Sequence, residues 1–219
     1  MKISLGAKAV IFIVFILILD QALKFWIKTS MLIGQEIHFL GKYGMLHFIE
    51  NNGMAFGMEM GGRPGKLILS LFRIIAIFVI GWYLSGLIKK NTNLGLIMAI
   101  CAIMAGAIGN IIDSAFYGMI FSESSFDRVA VLFPPGGGYS SFLHGKVVDM
   151  FYFPVINTHW PEWSPIKPGE SFIFFRPVFN LSDTAITCGV FSILIFQKKM
   201  FKGLNDLETA DSATQNNNP

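Results

Sequence analysis

The chain has 219 residues, 53% of them apolar and only 14% charged, with 22 phenylalanines. Soluble domains carry about 25% charged residues, so this surface cannot be solvated all round, and the composition points to a membrane protein. A net charge of +3 excludes the strong basic field of a nucleic-acid binder.

Crossing about 30 Å of hydrocarbon takes about 20 mostly apolar residues. Four stretches meet this, near 8–28, 67–88, 94–116 and 178–197. The first runs on through Asp20-Gln21-Ala22-Leu23-Lys24-Phe25-Trp26-Ile27 with no small-residue cleavage site, so it reads as a retained helix rather than a signal peptide. Between the first and second spans, two β-prone runs flank Gly41-Lys42-Tyr43-Gly44, which predicts a surface hairpin over 36–58. Lys89 and Lys90 lie in the tight connector after the second span. Lys2 and Lys8 precede the first span, and Lys198, Lys199 and Lys202 follow the fourth. The positive-inside rule therefore places both termini in the cytoplasm and the long connections 29–66 and 117–177 outside.

Within the second outer connection, Gly136-Gly137-Gly138 follows two prolines. Without the Lys-Ser/Thr of a phosphate loop it reads as a flexible loop tip. Trp160 and Trp163 fit the headgroup level, where amphipathic rings are favoured. Cys101 and Cys188 lie in apolar runs and read as small buried hydrophobes. Residues 203–219 are polar and read as a disordered cytoplasmic tail. The expected fold is an all-α membrane protein: four transmembrane helices in a single membrane-embedded domain over 1–202, a small extracytoplasmic β-element and a long inserted outer loop.

Ionisable residues in spans are costly and need a reason. Asp20 lies past the middle of the first span, Asp113 near the outer end of the third, and Asp183 near the outer start of the fourth. Asp149 lies in the outer connection. In this topology all four converge at one depth near the outer face. Asn110-x-x-Asp113 and Asn180-x-x-Asp183 put an amide and a carboxylate on one helical face, so each Asn is expected to orient its own Asp. The competing reading is that such residues only glue helices together. Ala102-x-x-x-Gly106 and Ala105-x-x-x-Gly109 are small-residue ridges for close helix approach. Asp20 and Lys24 are one turn apart with the acid first, which predicts an ion-pair clamp. Lys24 near the span's end could equally snorkel toward headgroups.

Asp149 is a lone carboxyl inside Val147-Val148-Asp149-Met150-Phe151-Tyr152-Phe153, where desolvation favours the protonated form of an acid. Two acids held together in reach of water can share one proton, one serving as base and the other as acid. Competing chemistries lack their residues. There is no His-Glu-x-x-His run or Gly-x-Ser-x-Gly elbow, and His38, His47, His144 and His159 are scattered, so neither a metal nor a cofactor is expected.

Five ordered blocks across 15–186 then carry a resemblance. They are Asp20-Gln21-x-x-Lys24; Asn52-Gly53-Met54-Ala55-Phe56-Gly57; Gly106 to Asp113; Val147-Val148-Asp149; and Phe179-Asn180-Leu181-Ser182-Asp183-Thr184-Ala185-Ile186. Together they resemble bacterial lipoprotein signal peptidase (signal peptidase II). The resemblance implies a membrane aspartyl endopeptidase of the bacterial inner membrane. It would cleave diacylglyceryl-modified prolipoproteins just before the lipidated cysteine, with Asp149 and Asp183 as the catalytic pair. It assigns substrate-positioning or supporting roles to Asp20, Lys24, Asn52, Gly53, Asn110, Asp113 and Asn180, and it implies a small β-element that cradles the substrate. The expected partners are that prolipoprotein and membrane lipids, and the expected state is a monomer. Two departures stand out. Ser114 occupies the place where the family usually has Arg, leaving Arg128 or Arg176 as replacement partners for Asp113. The segment 120–146 is an insertion, expected to act as an outer flap or a partner contact. The alternative from another class is a small transporter subunit whose aspartates bind a cation or relay protons; the chain has no inverted repeat to support it.

Overall fold

A computed structural model describes residues 3–53, 62–154, 156–159, 161–163, 165, 167, 169–174 and 177–216. In chain order the elements are α1 (Leu5–Ser30), β1 (Glu36–His38), β2 (Met45–Asn51), α2 (Gly62–Lys89) and α3 (Leu94–Ile112). A π-helical turn (Asp113–Tyr117) and the short α4 (Gly118–Ile120) follow. Then come β3 (Val147–Tyr152), β4 (Ile156–His159), β5 (Ser171–Phe174), β6 (Val178–Phe179) and α5 (Leu181–Asn216). Among the described residues, four helices are long and apolar enough to cross a membrane: α1, α2, Leu94–Ile120, and α5 as far as Lys202. The residues group into two compact units.

The helical unit comprises α1 up to Asp20, Leu71–Ile111 and α5 from Leu181. Its core is Ala9, Leu84, Leu87, Leu96, Ile97, Cys101 and Met200. The third span is 50% buried against 11–17% for the other three, so α3 takes the inner position while its neighbours turn residues such as Phe15, Phe78, Trp82 and Ile195 outward. Small residues explain why α3 can sit there. A Cβ on Gly106 would stand 2.2 Å from the Ser182 carbonyl oxygen, and one on Gly109 would stand 2.0 Å from the Ser182 hydroxyl and 2.7 Å from an Asp20 carboxylate oxygen. The ridge read from the sequence is therefore where α5 and α1 approach α3. Gly109→Ala should lower stability by about 1–3 kcal/mol through overpacking, read as a drop in melting temperature of the purified protein. Cys101 is buried as expected, but Cys188 is exposed, on a face of α5 shared with outward apolar side chains. The helix α5 continues to Asn216 through the segment whose polarity predicts disorder. Extending a helix already nucleated by an apolar span costs far less than starting one.

The strand unit comprises Gln21–Ser70 and Ile112–Asn180. Its main sheet is antiparallel in the order β1-β2-β3-β6, with β4 and β5 paired separately. The expected hairpin forms, with His38 opposite Met45; its final residues, 54–58, lie outside the described set. The sequence did not show that β3 would extend this hairpin. Val148 and Met150 enter a core with Ile27, Met31, Phe48, Tyr117, Phe121 and Ala130, and strand alternation turns Val147 and Asp149 to the other face. The β2–β3 register shifts between Leu46 and Ile49. Beyond that irregularity Ile49 lies opposite Asp149 and Asn51 opposite Val147.

The inserted segment is stitched down rather than loose. Ser122 N–H donates to Val131 O at 2.9 Å, Phe133 N–H to Ile120 O at 2.7 Å, Tyr139 N–H to Phe121 O at 3.0 Å, and Ser140 N–H to Gly118 O at 2.7 Å. Within the glycine triplet, a Cβ on Gly138 would lie 2.2 Å from the Gly118 carbonyl oxygen, whereas Gly136 and Gly137 face open space. The triplet is thus a free tip at its start and a tight packing point at its end. Trp163 is exposed, and Trp160 lies outside the described residues.

Candidate active site

In the helical unit, α5 begins at Leu181 with Asp183 in its first turn, where the unsatisfied N–H groups and the helix dipole favour negative charge. Asp20, fully buried, uses this directly: its Oδ1 accepts the Ser182 N–H at 2.8 Å. Asn110 on α3 donates from Nδ2 to Asp183 Oδ1 at 2.8 Å. Asp183 itself is only partly buried, so its carboxylate is oriented without being sealed from its surroundings. Asp20, Asn110 and Asp183 therefore gather around the start of α5.

In the strand unit, Asp149 is 2% exposed yet does not sit in the purely apolar setting its sequence neighbours predict. Asn180 Nδ2 donates to its Oδ1 at 2.7 Å, and Asn51 Nδ2 donates to its Oδ2. The sheet register explains the second contact. Asn51 is the diagonal cross-strand neighbour of Asp149 on the same face, within reach of a short amide. Gly53 holds Asn51 in place, since its N–H donates to Asn51 Oδ1 from a backbone φ of +93° that glycine adopts without strain.

Each Asn reaches a carboxylate that the three-residue spacing did not indicate: Asn110 donates to Asp183, and Asn180 donates to Asp149. A short amide on one face is within reach of a carboxylate on a different element. Asn180 is moreover outside the helix, directly ahead of Leu181. In the second block, Asn51 reaches Asp149, and Asn52 accepts from Lys66 Nζ at 3.2 Å. The signal was present, because counting back from Gly53 in an Asn-x-Gly spacing lands on Asn51. Met54 to Gly57 lie outside the described residues.

Asp113 has a cationic partner that the sequence reading overlooked. Lys24 Nζ stands 2.9 Å from Asp113 Oδ2 with both side chains fully buried, so Lys24 does not snorkel to headgroups. Gln21 Nε2 donates to Asp113 Oδ1 at 3.0 Å, Tyr117 hydroxyl donates to Gln21 Oε1 at 3.2 Å, and Val148 N–H donates to Asp113 Oδ2 at 3.2 Å. Gln21 and Lys24 are three residues apart on α1, so one face of that helix grips one carboxylate. Arg128 is exposed and pairs with Asp127, and Arg176 lies outside the described residues. The Asp113 carboxylate thereby ties α1 to the strand carrying Asp149.

A second buried charge group was also missed. Lys28 pairs with Glu50, and Ser124 Oγ donates to Glu50 Oε1 at 3.0 Å. The Lys28 ammonium lies 5.0 Å from the centre of the Tyr139 ring, a cation–π distance. Burial and the neighbouring Glu50 charge push the Tyr139 phenol well above its usual range, so it stays neutral. Lys28 is one turn beyond Lys24 on α1, and that i, i+4 spacing was the available sign of a common inward face.

A family model described as "Signal peptidase (SPase) II" matches residues 12–199. A lipoprotein signal peptidase of Porphyromonas gingivalis is 46% identical over 195 residues, covering 89% of this chain and 84% of the relative. One from Amoebophilus asiaticus is 36% identical, covering 83% and 73%. Among solved structures, a bacterial membrane enzyme determined by the in meso method at 2.3 Å resolution superposes with a TM-score of 0.56 at 24% identity, covering 88% of each chain.

Proposed function

The chain belongs to the signal peptidase II family, peptidases of the bacterial inner membrane, and from that premise we propose that it is an aspartyl endopeptidase. Its substrate is a diacylglyceryl-modified prolipoprotein, cut just before the lipidated cysteine. Asp149 and Asp183 form the catalytic pair. The observation that carries this reading is that each of these two carboxylates is held by a dedicated asparagine from another element, Asn180 on Asp149 and Asn110 on Asp183. The chain itself couples the two, since Asn180 precedes Asp183 by only three residues.

The pair shares one proton. The ionised carboxylate takes a proton from water as its oxygen attacks the scissile carbonyl carbon, and the other acid hydrogen-bonds the carbonyl oxygen. Collapse of the tetrahedral intermediate breaks the C–N bond, with a proton delivered to the leaving nitrogen and a carboxyl product formed. Asn51, Asn110 and Asn180 fix the two acids by amide donation, so little reorganisation is needed during reaction. Asp20 steadies the first turn of α5, and Asp113 with Lys24 steadies β3.

Purified protein should cleave a lipidated precursor with a chelator present. Absence of cleavage by folded enzyme, or cleavage only after metal is added, would overturn the reading. Both termini are cytoplasmic in this proposal, with the connections 29–66 and 117–177 on the outer side. Reporter fusions in 120–146 should read external and those after Lys202 cytoplasmic, and the reverse result would remove the outer-face site.

A further inference from the structure

A cavity of about 440 Å³ opens in the strand unit, lined among others by Asn52, Arg63, Lys66, Glu123, His144 and Lys146. Three cations face one carboxylate there, and that carboxylate, Glu123, is engaged by Lys146 at 3.2 Å. Gly62 and Arg63 also line it as the first residues of α2, so the helix's positive end adds to the field. Lys146 is fixed rather than free to fold away: its ammonium lies 5.7 Å from the Tyr139 ring centre, and its backbone N–H donates to the Tyr139 hydroxyl at 2.6 Å. Such a pocket suits a phosphate better than a cation or an apolar group.

What borders the pocket narrows the ligand further. Arg63 and Leu67 are one turn apart on α2, so an outward stripe leads from the cavity onto a spanning helix. Both are exposed. The loop beside this stripe is tied to α2 twice, by Arg63 Nη2 to Ser141 Oγ at 3.5 Å and by Ser70 Oγ to Leu143 O at 3.2 Å. Between those ties lies Phe142, 52% exposed and edge-to-face with the exposed Phe116 at 5.9 Å. Cationic donors at the head of a spanning helix, continuous with outward apolar side chains, match a molecule that has a phosphate at one end and acyl chains at the other.

We propose that this pocket binds the phosphate headgroup of an anionic membrane phospholipid, with its acyl chains leaving along the outward face at Arg63 and Leu67. The cavity shares Asn52 with the residues given supporting roles, whereas Arg63 and Lys146 are not among them, and lipid bound there would dock the strand unit on the lipid surface.

The test is lipid retention by the purified full chain, measured by native mass spectrometry after exchange between phosphatidylglycerol and phosphatidylcholine. Phosphatidylglycerol should be preferred, and removing a cation with Arg63→Gln should cut that preference about fivefold, with a further loss in Arg63→Gln/Lys146→Gln. Arg63→Lys/Lys146→Arg should keep it, which separates lost charge from lost folding. Equal retention of the two lipids by wild type, or no change in either Gln variant, would overturn the proposal. Full displacement by millimolar inorganic phosphate would instead identify a soluble phosphate site, and displacement by a short Asp/Glu peptide would identify a peptide site; either overturns the lipid assignment. Asp149→Asn should retain lipid normally, and Arg63→Gln should cleave normally in lipid-free detergent, so failure here and failure of the peptidase reading are distinguishable.

Discussion

Asp149→Asn and Asp183→Asn should each reduce cleavage of a lipidated precursor by about 10³-fold or more, the scale expected for an essential acid or base. Because the two carboxyls act as a unit, the double variant should be little worse than either single one. Precursor binding should largely persist, since an amide replaces a carboxyl of the same shape. The asparagines give a graded control. Asn180→Ala removes a donor from Asp149 without removing the acid, so it should lower turnover by less than Asp149→Asn does. Retention of more than about a tenth of wild-type turnover by either folded, inserted Asp variant would rule out the two-aspartate mechanism.

The second large effect concerns stability. Lys24→Met leaves the fully buried Asp113 carboxylate without its ammonium partner, and breaking a buried pair from one side costs about 3–5 kcal/mol. Melting should fall by about 6–20 °C. Asp113→Asn should also melt lower, while the surviving folded enzyme keeps most of its turnover. A Lys24→Met/Asp113→Leu double variant should recover part of the loss, because it removes both charges together. Unchanged melting of Asp113→Asn with complete loss of turnover would instead assign Asp113 to the chemistry.

The insertion makes a smaller but distinct test of what holds the strand unit. Its backbone bonds to Gly118, Ile120 and Phe121 make 120–146 part of the packing rather than a hinged flap, and the Gly138 approach to Gly118 leaves no room for a side chain. Gly138→Ala should therefore lower the melting temperature, whereas Gly136→Ala should not, and equal effects would contradict this packing.

The four spans were legible from the sequence because a bilayer imposes a length and polarity rule that each helix obeys by itself. The aspartates and the small-residue ridge on α3 were legible for a related reason: polar and small residues inside apolar runs stand out against their background. The partners of those aspartates were not. Asn110 and Asp113 share a helix face, and nothing local says that Asn110 also meets Asp183. The Lys24–Asp113 pair joins residues 89 positions apart, with Asp20 a closer acid in sequence. Likewise β3 reads as an apolar run with one acid until pairing with β2 sets its register and brings Asn51 diagonally beside Asp149. Spacing along one helix or strand is fixed by local geometry, so the proposed site residues and the elements that present them could be read from the chain alone. Which buried amide or ammonium meets which carboxylate depends on contacts between elements distant in the chain, and those emerge only once the chain is folded.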